Sequence, residues 1–519
     1  MMSFSSVAAF CLASVLVFSF PVSSASAARL LSIDEARSLA LRHNKDLLIA
    51  ARSAEASLGR LKAEKGGFDP VFDVRASYDK TSEPSESALV SDSLKTRRSA
   101  VSAGIAGDLP TGAYYDLFRL SVSKDKSDSP LRSLSPSYSS SVDFRVGQNL
   151  LRGFGGGAAK TAVASAALRS DISNLSLRAR AADTLFEVER AYWNLVAARL
   201  NSELTKQYLE LGSDLLERNR VKVREGVLPR LEEMKAESAV AARRVELIEA
   251  ENFVKRAEDH LKNLIGLPLD TAVLPADLPF DEGFDLQIHS DHTDISALIE
   301  AAFENRAELK QAHKQVKIAE REKSFRKNQR LPGLALEGVV SLRGLAGGEN
   351  PDRLMFEGAG PSGVSDSLTG GLSDSLDRVR EGDFVSWGAS VKMSVPIGNR
   401  RASGLYAAAS AELDGAVLQY GKVREAVALE VREAADALWS AAKRVEAADT
   451  ALAVAREVLE AEKEKYAVGL STTREVLEAQ TGLVLARSEN VRAAADYKTA
   501  LAALRRATGT IIEETGVEF

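Results

Sequence analysis

The sequence predicts a mainly α-helical protein with membrane β-strands, in which long coiled-coil hairpins are repeated by an internal duplication. Three observations predict it: a repeat of about 240 residues, heptad spacing in long alanine-rich stretches, and short segments that alternate apolar and polar residues. Gly226 falls on Gly469 at an offset of 243 residues. Earlier in each half the offset becomes 261, which matches Asn44 with Asn305. A repeat of this length is too long for one solenoid unit and indicates a duplicated domain.

Composition narrows the class of protein. Of the 519 residues, 45% are hydrophobic but only 6% are aromatic, which is little for large compact cores. The abundance of alanine, leucine, glutamate and arginine is typical of long helices and coiled coils. The net charge is −6, so the chain lacks the basic character of a nucleic-acid-binding protein.

The N-terminus predicts export. Residues 7–20 form an apolar run, and small residues follow Pro21, which favours a signal peptide over residues 1–27. No Lys or Arg precedes the run, and a short membrane anchor is the alternative. The single cysteine, Cys11, lies in this segment, so the mature chain has no disulfide framework. No later run of 18 apolar residues occurs, which leaves a soluble exported protein or one that crosses a membrane by β-strands.

The same elements are predicted in the same order in each repeat. The first repeat is assigned to 28–267, with an opening helix at 33–65, strands within about 70–147, a long helix at 157–225 and a return helix at 229–265. The second is assigned to 294–510, with helices at 296–328, 399–467 and 473–508 and strands within about 333–395. A linker, 268–293, joins the repeats, and 511–519 is a C-terminal tail. At 1.5 Å per residue each long helix spans about 100 Å, so the opening and return helices fit end to end beside it.

The helix sequences favour a ring of helices. Apolar residues of the second long helix alternate spacings of four and three, which is the period of a left-handed supercoil, at Val427, Val431, Ala434, Leu438, Ala441 and Val445. The first repeat is more polar along this seam, with Ser202, Thr205 and Gly212. Further alanines lie off the main seam, and a helix with apolar surface beyond one stripe needs neighbours on both sides.

Four strand segments alternate cleanly with period two, at 72–78, 138–146, 334–342 and 385–395. Such alternation is typical of outer-membrane strands, although a soluble sandwich shows it as well. Four strands cannot close a membrane barrel, and open edges are not tolerated in lipid, so several copies would have to share one barrel. A possible further hairpin at about 99–123 is either external or adds two barrel strands.

This ordered set of segments resembles the TolC-like outer membrane efflux protein family. The segments that carry the resemblance are the strand exit Gln148–Gly153, the turn Tyr466–Leu470 with Glu475–Ala479 after it, and the weaker twin Arg224–Leu228 with Leu231–Glu233. The resemblance implies a homotrimer whose copies each give four strands to a twelve-stranded β-barrel in the outer membrane, above an α-barrel of twelve helices in the periplasm. It implies a passive channel of a tripartite efflux or type I secretion system, which works with a periplasmic adaptor protein and an inner-membrane transporter and uses no cofactor.

The resemblance also implies site residues. The turns Gly226–Val227 and Val468–Gly469–Leu470 become the periplasmic tip where the adaptor docks. Glu475 and Glu478 become the gate, with Glu232 opposite, because threefold repetition makes rings of carboxylates that favour cations. The alternative is that these acids only complement the positive end of a helix dipole. Ser471 stands where the family has a latch arginine, so either Arg474 or Lys235 supplies the partner or the closed state is held in another way.

Other candidate sites are weak. The stretch Gly153–Thr161 follows a strand, but Phe154 and Ala159 stand where a phosphate loop needs glycine. His289 and His292 lie in the linker, where a solvated segment is the simpler interpretation. No catalytic arrangement is found, so an enzyme is not predicted. A soluble periplasmic coiled-coil scaffold is the alternative to a channel, and the sequence does not identify the cargo.

Overall fold

The computed structural model describes residues 29–84, 93–276, 294–354 and 364–514. The predicted signal peptide, residues 277–293 of the linker and residues 515–519 of the tail lie outside them. The helices are α1 (Ile33–His43), α2 (Lys45–Gly66), α3 (Gly155–Ala159), α4 (Thr161–Arg224), α5 (Arg230–Ile265), α6 (Ile295–Asn305), α7 (Ala307–Asn328), α8 (Leu372–Glu381), α9 (Arg400–Ala467), α10 (Thr473–Thr508) and α11 (Ile511–Glu514). The strands are β1 (Arg29–Leu31), β2 (Val71–Pro84), β3 (Ser93–Asp108), β4 (Ala113–Ser127), β5 (Leu134–Asn149), β6 (Val273–Pro275), β7 (Gly333–Glu349) and β8 (Phe384–Ser394).

The opening helix of each repeat is two helices, not the single helix of about 33 residues that the sequence predicts. The first breaks at Asn44, whose side chain accepts the Leu47 N–H and so caps α2. The amide Nδ2 of Asn44 also donates to the carbonyl of Leu264 at 2.9 Å. In the second repeat Arg306 stands at the break and donates to the carbonyl of Ala507. Each break is therefore held by the end of the return helix of its own repeat.

These contacts correct the early offset from 261 to 262. The helices that open the repeats begin at Ile33 and Ile295. Ala40 then corresponds to Ala302, and both are fully buried. Because Ala301 and Ala302 are adjacent alanines, residue identity fits an offset of 261 as well as one of 262. The burial of Ala302 decides for 262.

The helices lie side by side in a fixed order. The short helices α2 and α5 pack on the long helix α4, while α7 and α10 pack between α4 and the long helix α9. Two short helices therefore lie along each long helix, α2 and α5 along α4 and α7 and α10 along α9, as predicted from the helix lengths. The largest core lies where α1, α4 and α5 meet, around Tyr192, whose hydroxyl donates to the carbonyl of Leu31 at 3.0 Å.

The strands form one antiparallel sheet of six, in the order β2-β3-β4-β5-β7-β8. This corrects the predicted contribution of four strands per chain. The difference is the hairpin that the sequence left open, which forms β3 and β4 inside the sheet. A separate pair, β1 and β6, is parallel and joins the start of the first repeat to the linker.

The two faces of the sheet differ in character, as the period-two alternation predicts. Large apolar side chains such as Phe72 and Trp387 are exposed on one face. The other face carries polar contacts, among them the ion pair of Arg119 with Asp73 at 2.9 Å. Within the described ranges, every helix is either too short or too polar to span a membrane.

Candidate functional site at the hairpin tips

Both hairpin turns have the same backbone. Gly226 and Gly469 have φ of +73° and +81°, which is the left-handed region that glycine adopts without steric cost. The next N–H in each turn bonds back five residues, from Val227 to the Lys222 carbonyl at 2.8 Å and from Leu470 to the Lys465 carbonyl at 2.9 Å. The glycines therefore end α4 and α9 in the same way.

Apolar side chains project from both turns. Val227, Val468 and Leu470 are 66%, 70% and 80% exposed. Exposed apolar residues at the tip of a hairpin are a feature of binding surfaces when they cluster. These three are the apolar members of the predicted adaptor-docking turns.

The return helices begin differently in the two hairpins. In the second, the Thr472 hydroxyl accepts the Glu475 N–H at 3.3 Å, and the Glu475 carboxylate accepts the Thr472 N–H at 2.7 Å. This is a capping box, which satisfies two otherwise unpaired N–H groups. In the first hairpin Pro229 stands at the cap position, and no side chain caps α5.

Glu475 thus has a structural task in addition to its predicted role in the gate. Its carboxylate also accepts the Ser471 hydroxyl, which donates to Glu462 as well. The Thr472 N–H is the main cause that lowers the pKa of Glu475 below its usual range. Ser471, which replaces the expected arginine, therefore links the end of α9 to the start of α10 by hydrogen bonds.

The other two predicted gate acids pair within their own helices. Glu478 accepts from Arg474 at 2.9 Å, and Glu232 accepts from Lys235 at 2.7 Å. Arg474 and Lys235 were the predicted substitutes for the latch arginine. Since both cations pair locally, neither joins the two hairpins by these contacts.

A buried asparagine joins the hairpins at the tip instead. Asn219 of α4 is fully buried, and its Nδ2 donates to the carbonyl of Glu232 on α5 at 3.3 Å. The hydroxyl of Tyr466 on α9 donates to the Asn219 Oδ1 at 3.0 Å, and the Asn219 Nδ2 lies 3.5 Å from the Thr473 hydroxyl on α10. One side chain therefore contacts all three other helices at the tip. This residue was not predicted from the sequence, although a polar side chain on the helical seam is a usable signal.

A buried arginine makes a second connection farther from the tip. Arg243 of α5 is 3% exposed, donates to the Tyr208 carbonyl at 3.1 Å and reaches Gln480 of α10 at 3.3 Å. It crosses α4 at Gly212, where a Cβ would lie 2.3 Å from its Nη1. Its guanidinium lies 3.5 Å from the Tyr208 ring centroid, and burial lowers the pKa of Arg243. The position of Gly212 on the seam was predicted from the sequence, but the arginine that it accommodates was not.

A groove of about 620 Å³ lies between α4 and α9 beside the tip. Its lining combines apolar and charged side chains, including Leu215, Arg218, Lys222, Lys463 and Tyr466. Among the described residues, no group of three or more His, Cys, Asp or Glu is placed to hold a metal ion. His289 and His292 lie outside the described residues.

Comparisons with known proteins agree on one family. The family model described as "Outer membrane efflux protein" matches residues 36–267 and 298–510. These two ranges differ by 262 residues at their starts and 243 at their ends, as the structural offsets do. No curated protein sequence matches the chain significantly.

Several solved outer-membrane channels share the fold. The Campylobacter jejuni CmeC channel is 15% identical with a TM-score of 0.65, over 93% of this chain and 89% of that one. VceC from Vibrio cholerae is 17% identical with a TM-score of 0.63, over 92% and 96%. The open state of the Neisseria gonorrhoeae MtrE channel is 17% identical with a TM-score of 0.61, over 92% and 89%. At these identities the likeness establishes the fold.

Proposed function

Since the chain belongs to the outer membrane efflux protein family, we propose that it is the channel component of a tripartite efflux or type I secretion system. Membership in this family supports an outer-membrane channel with periplasmic helices rather than an enzyme. In the proposed system a homotrimer is a passive conduit, and the inner-membrane transporter supplies the energy. A periplasmic adaptor protein joins the two.

The distribution of exposed apolar residues supports a homotrimer. The central helix α4 has neighbours on both flanks, whereas α9 lies at one side of the chain and α2 and α5 at the other. These outer helices leave apolar side chains exposed, including Leu418 on α9, Ile49 on α2 and Val245 on α5. Copies packed side by side would bury these residues and extend the four-helix layer into a ring of twelve.

Exposed apolar side chains at the turns support adaptor docking. Val227, Val468 and Leu470 present apolar surface where a partner can reach it, and the groove between α4 and α9 opens beside them. The groove is lined by charged side chains of both signs, namely Arg218, Lys222, Lys463, Asp214 and Glu225. This mixture favours a partner hairpin that carries both charges.

Gating at the tip rests on one observation, the contacts of Asn219. The two hairpins meet there through hydrogen bonds, and a buried amide that loses its partners costs about 1–3 kcal/mol. Such contacts hold one arrangement of the hairpins and can be exchanged for water when the tip opens. The proposed gate carboxylates Glu232, Glu475 and Glu478 lie beside this junction.

Single-channel recording in planar bilayers tests the gate. We expect Tyr466→Phe and Asn219→Ala each to raise the conductance, because each removes the hydrogen bond between Tyr466 and Asn219 that joins the two hairpins. Tyr420→Phe, which removes a hydroxyl from α9 far from the tip, is the matched control and should leave the conductance unchanged. Equal conductance in all four proteins would refute gating by these contacts.

The soluble scaffold is not favoured by the family match. Membrane fractionation separates the two functions, because a channel is recovered with the outer membrane and a scaffold with the soluble periplasm. Recovery of the folded protein in the soluble fraction would overturn the channel proposal.

A further inference from the structure

We propose that the trimer closes an eighteen-stranded barrel, and that this gives an exit nearly as wide as the helical tunnel, suited to bulky cargo. The inference rests on the proposed trimer. The hairpin β3–β4 gives the sheet of each chain six strands in place of four. The hairpin therefore determines which sizes of cargo can leave.

The hairpin is an integral part of the sheet. Strand β3 pairs with β2 along its length, from Ala106 opposite Val71 to Ser93 opposite Pro84. Strand β4 pairs with β5 from Ala113 opposite Gln148 to Asp125 opposite Ser137. An external hairpin would leave β2 and β5 adjacent, but here β3 and β4 separate them.

The turn of the hairpin is fixed to the junction between sheet and helices. The Gly155 N–H donates to the Thr111 carbonyl at 3.0 Å, and the Asn149 N–H donates to the Gly112 carbonyl at 3.3 Å. Gly112 has φ of +82°, and a Cβ there would lie 2.2 Å from the carbonyl oxygen of Gly153. The turn therefore fits at the base of the sheet, beside the start of the helices.

The hairpin continues both faces of the sheet. On the apolar face Val101 of β3 pairs with Val122 of β4, and Leu120 pairs with Val142 of β5. On the polar face Ser102, Ser121 and Ser141 lie opposite one another across the three strands. Strands that obey the alternation on both faces are suited to lipid on one side and an aqueous lumen on the other.

The edges of the sheet are suited to further copies of the chain. Strand β2 has 14 residues and β8 has 11, and within the described ranges each pairs with a neighbour on one side only. Strand β2 runs away from the helices and β8 runs back towards them, so β8 of one copy can pair with β2 of the next in antiparallel fashion. A sheet of six cannot close alone, since the smallest membrane barrels have eight strands.

The dimensions favour eighteen strands above twelve helices. Strands about 4.8 Å apart and tilted by about 40° give a barrel perimeter of about 113 Å for eighteen strands and about 75 Å for twelve. Twelve helices about 8–10 Å apart give a ring with a perimeter of about 96–120 Å. The perimeter of the eighteen-stranded barrel lies within the range for the ring of helices, whereas a twelve-stranded barrel would be narrower than the ring.

The width changes what can pass. Barrel diameter grows roughly linearly with strand number, so the cross-section grows about twofold from twelve to eighteen strands. The added lumen surface includes Ser102 and Ser121 and, farther along the same face, the ion pair of Arg98 with Asp125. Large polar solutes or unfolded polypeptides are the class of cargo that benefits from a wide, polar exit.

Counting strands in the particle tests the proposal directly. We expect electron cryomicroscopy of the full mature protein in lipid nanodiscs to resolve a trimer with eighteen strands. A trimeric channel with twelve strands and the hairpin outside the barrel would overturn this inference and leave the proposed function intact. A particle that is not a trimeric channel would refute the proposed function itself.

Deleting residues 93–127 tests the consequence for cargo size. The deletion joins β2 to β5 with the alternation of strand directions preserved. We expect the size limit for neutral polymers entering from the extracellular side to fall, with about a twofold smaller cross-section. The matched control is Ser102→Ala with Ser121→Ala, which keeps all strands and should keep the limit. An unchanged limit in a folded deletion variant would contradict the proposal, and if the variant does not fold, the strand count alone decides.

Discussion

The two helical hairpins share their turn geometry but differ in what lies between their helices. Gly212 and Arg243 of the first hairpin correspond to Ala455 and Ala486 of the second at the offset of 243. Alanines allow close packing without polar contacts, whereas the first hairpin uses a glycine to let a buried arginine reach the second. The duplicated hairpins thus keep the same backbone but differ in the residues between their helices. Those of the first hairpin make polar contacts to the second, and those of the second allow its own helices to pack closely.

The acids after the turns differ in the same way. Glu232 and Glu475 occupy equivalent positions, three residues after Pro229 and Thr472. Because proline has no hydroxyl or backbone N–H, Glu232 cannot complete a capping box and pairs with Lys235. Glu475 closes the box with Thr472. Of these two predicted gate acids, Glu475 is therefore part of a helix cap and Glu232 is not.

The largest effect is expected from removing the connection made by the first hairpin. Arg243→Ala removes the buried hydrogen bonds to Gln480 and to the Tyr208 carbonyl and opens a cavity beside Gly212, which should cost about 2–4 kcal/mol of unfolding free energy. Thermal unfolding of the helical signal in detergent measures it. Arg244→Ala, an exposed neighbour, is the control and should change little. Equal shifts for the two variants would contradict the connecting role.

The two turns should lose the same free energy of unfolding when their glycine is replaced by alanine, since their backbones are the same. Gly226→Ala and Gly469→Ala each place a Cβ at positive φ, which costs about 1–2 kcal/mol, and neither Cβ meets another atom within 4 Å. Gly404→Ala in α9 should instead raise the free energy of unfolding, because alanine stabilises a helix interior by about 0.5–1 kcal/mol relative to glycine. Unequal losses at the two turns, measured by thermal unfolding, would indicate that one turn has further contacts.

Most of the fold could be predicted from the sequence, because long helices and alternating strands leave periodic patterns. The breaks at Asn44 and Arg306 could not be, since the contacts that hold them come from residues about 200 positions away. The hairpin β3–β4 was ambiguous because pairing with β2 and β5 decides its place. At the tip, the two turns could be predicted from Gly226 and Gly469, because glycine adopts a positive φ without steric cost. The contacts of Asn219 depend on how four helices meet, which no local pattern encodes.

The charge and the capping role of Glu475 can be separated by substitution. Glu475→Gln keeps an acceptor for the Thr472 N–H but removes the charge, whereas Glu475→Ala removes both. If the carboxylate narrows the pore electrostatically, Glu475→Gln should raise the single-channel conductance, and Glu475→Ala with Glu478→Ala should raise it further. Conductance that rises only in the alanine variants would assign the effect to the helix cap and contradict an electrostatic gate.

Acidification should loosen the second hairpin before the first. The pKa of Glu475 is lowered by the hydrogen bonds it accepts from Thr472 and Ser471, and the pKa of Glu462 is lowered mainly by its hydrogen bond from Lys465. A carboxylate with a lowered pKa in the folded protein stabilises it fully above its ordinary pKa, which is about 4.3 for glutamate. That contribution is lost as the pH falls through the lowered value, because the unfolded state then binds protons more readily.

Below about pH 4, amide hydrogen exchange, corrected for its intrinsic pH dependence, should therefore accelerate at residues 472–478. The equivalent residues 229–235, which lack the capping box, are the internal control, and equal acceleration there would remove the distinction between the two caps.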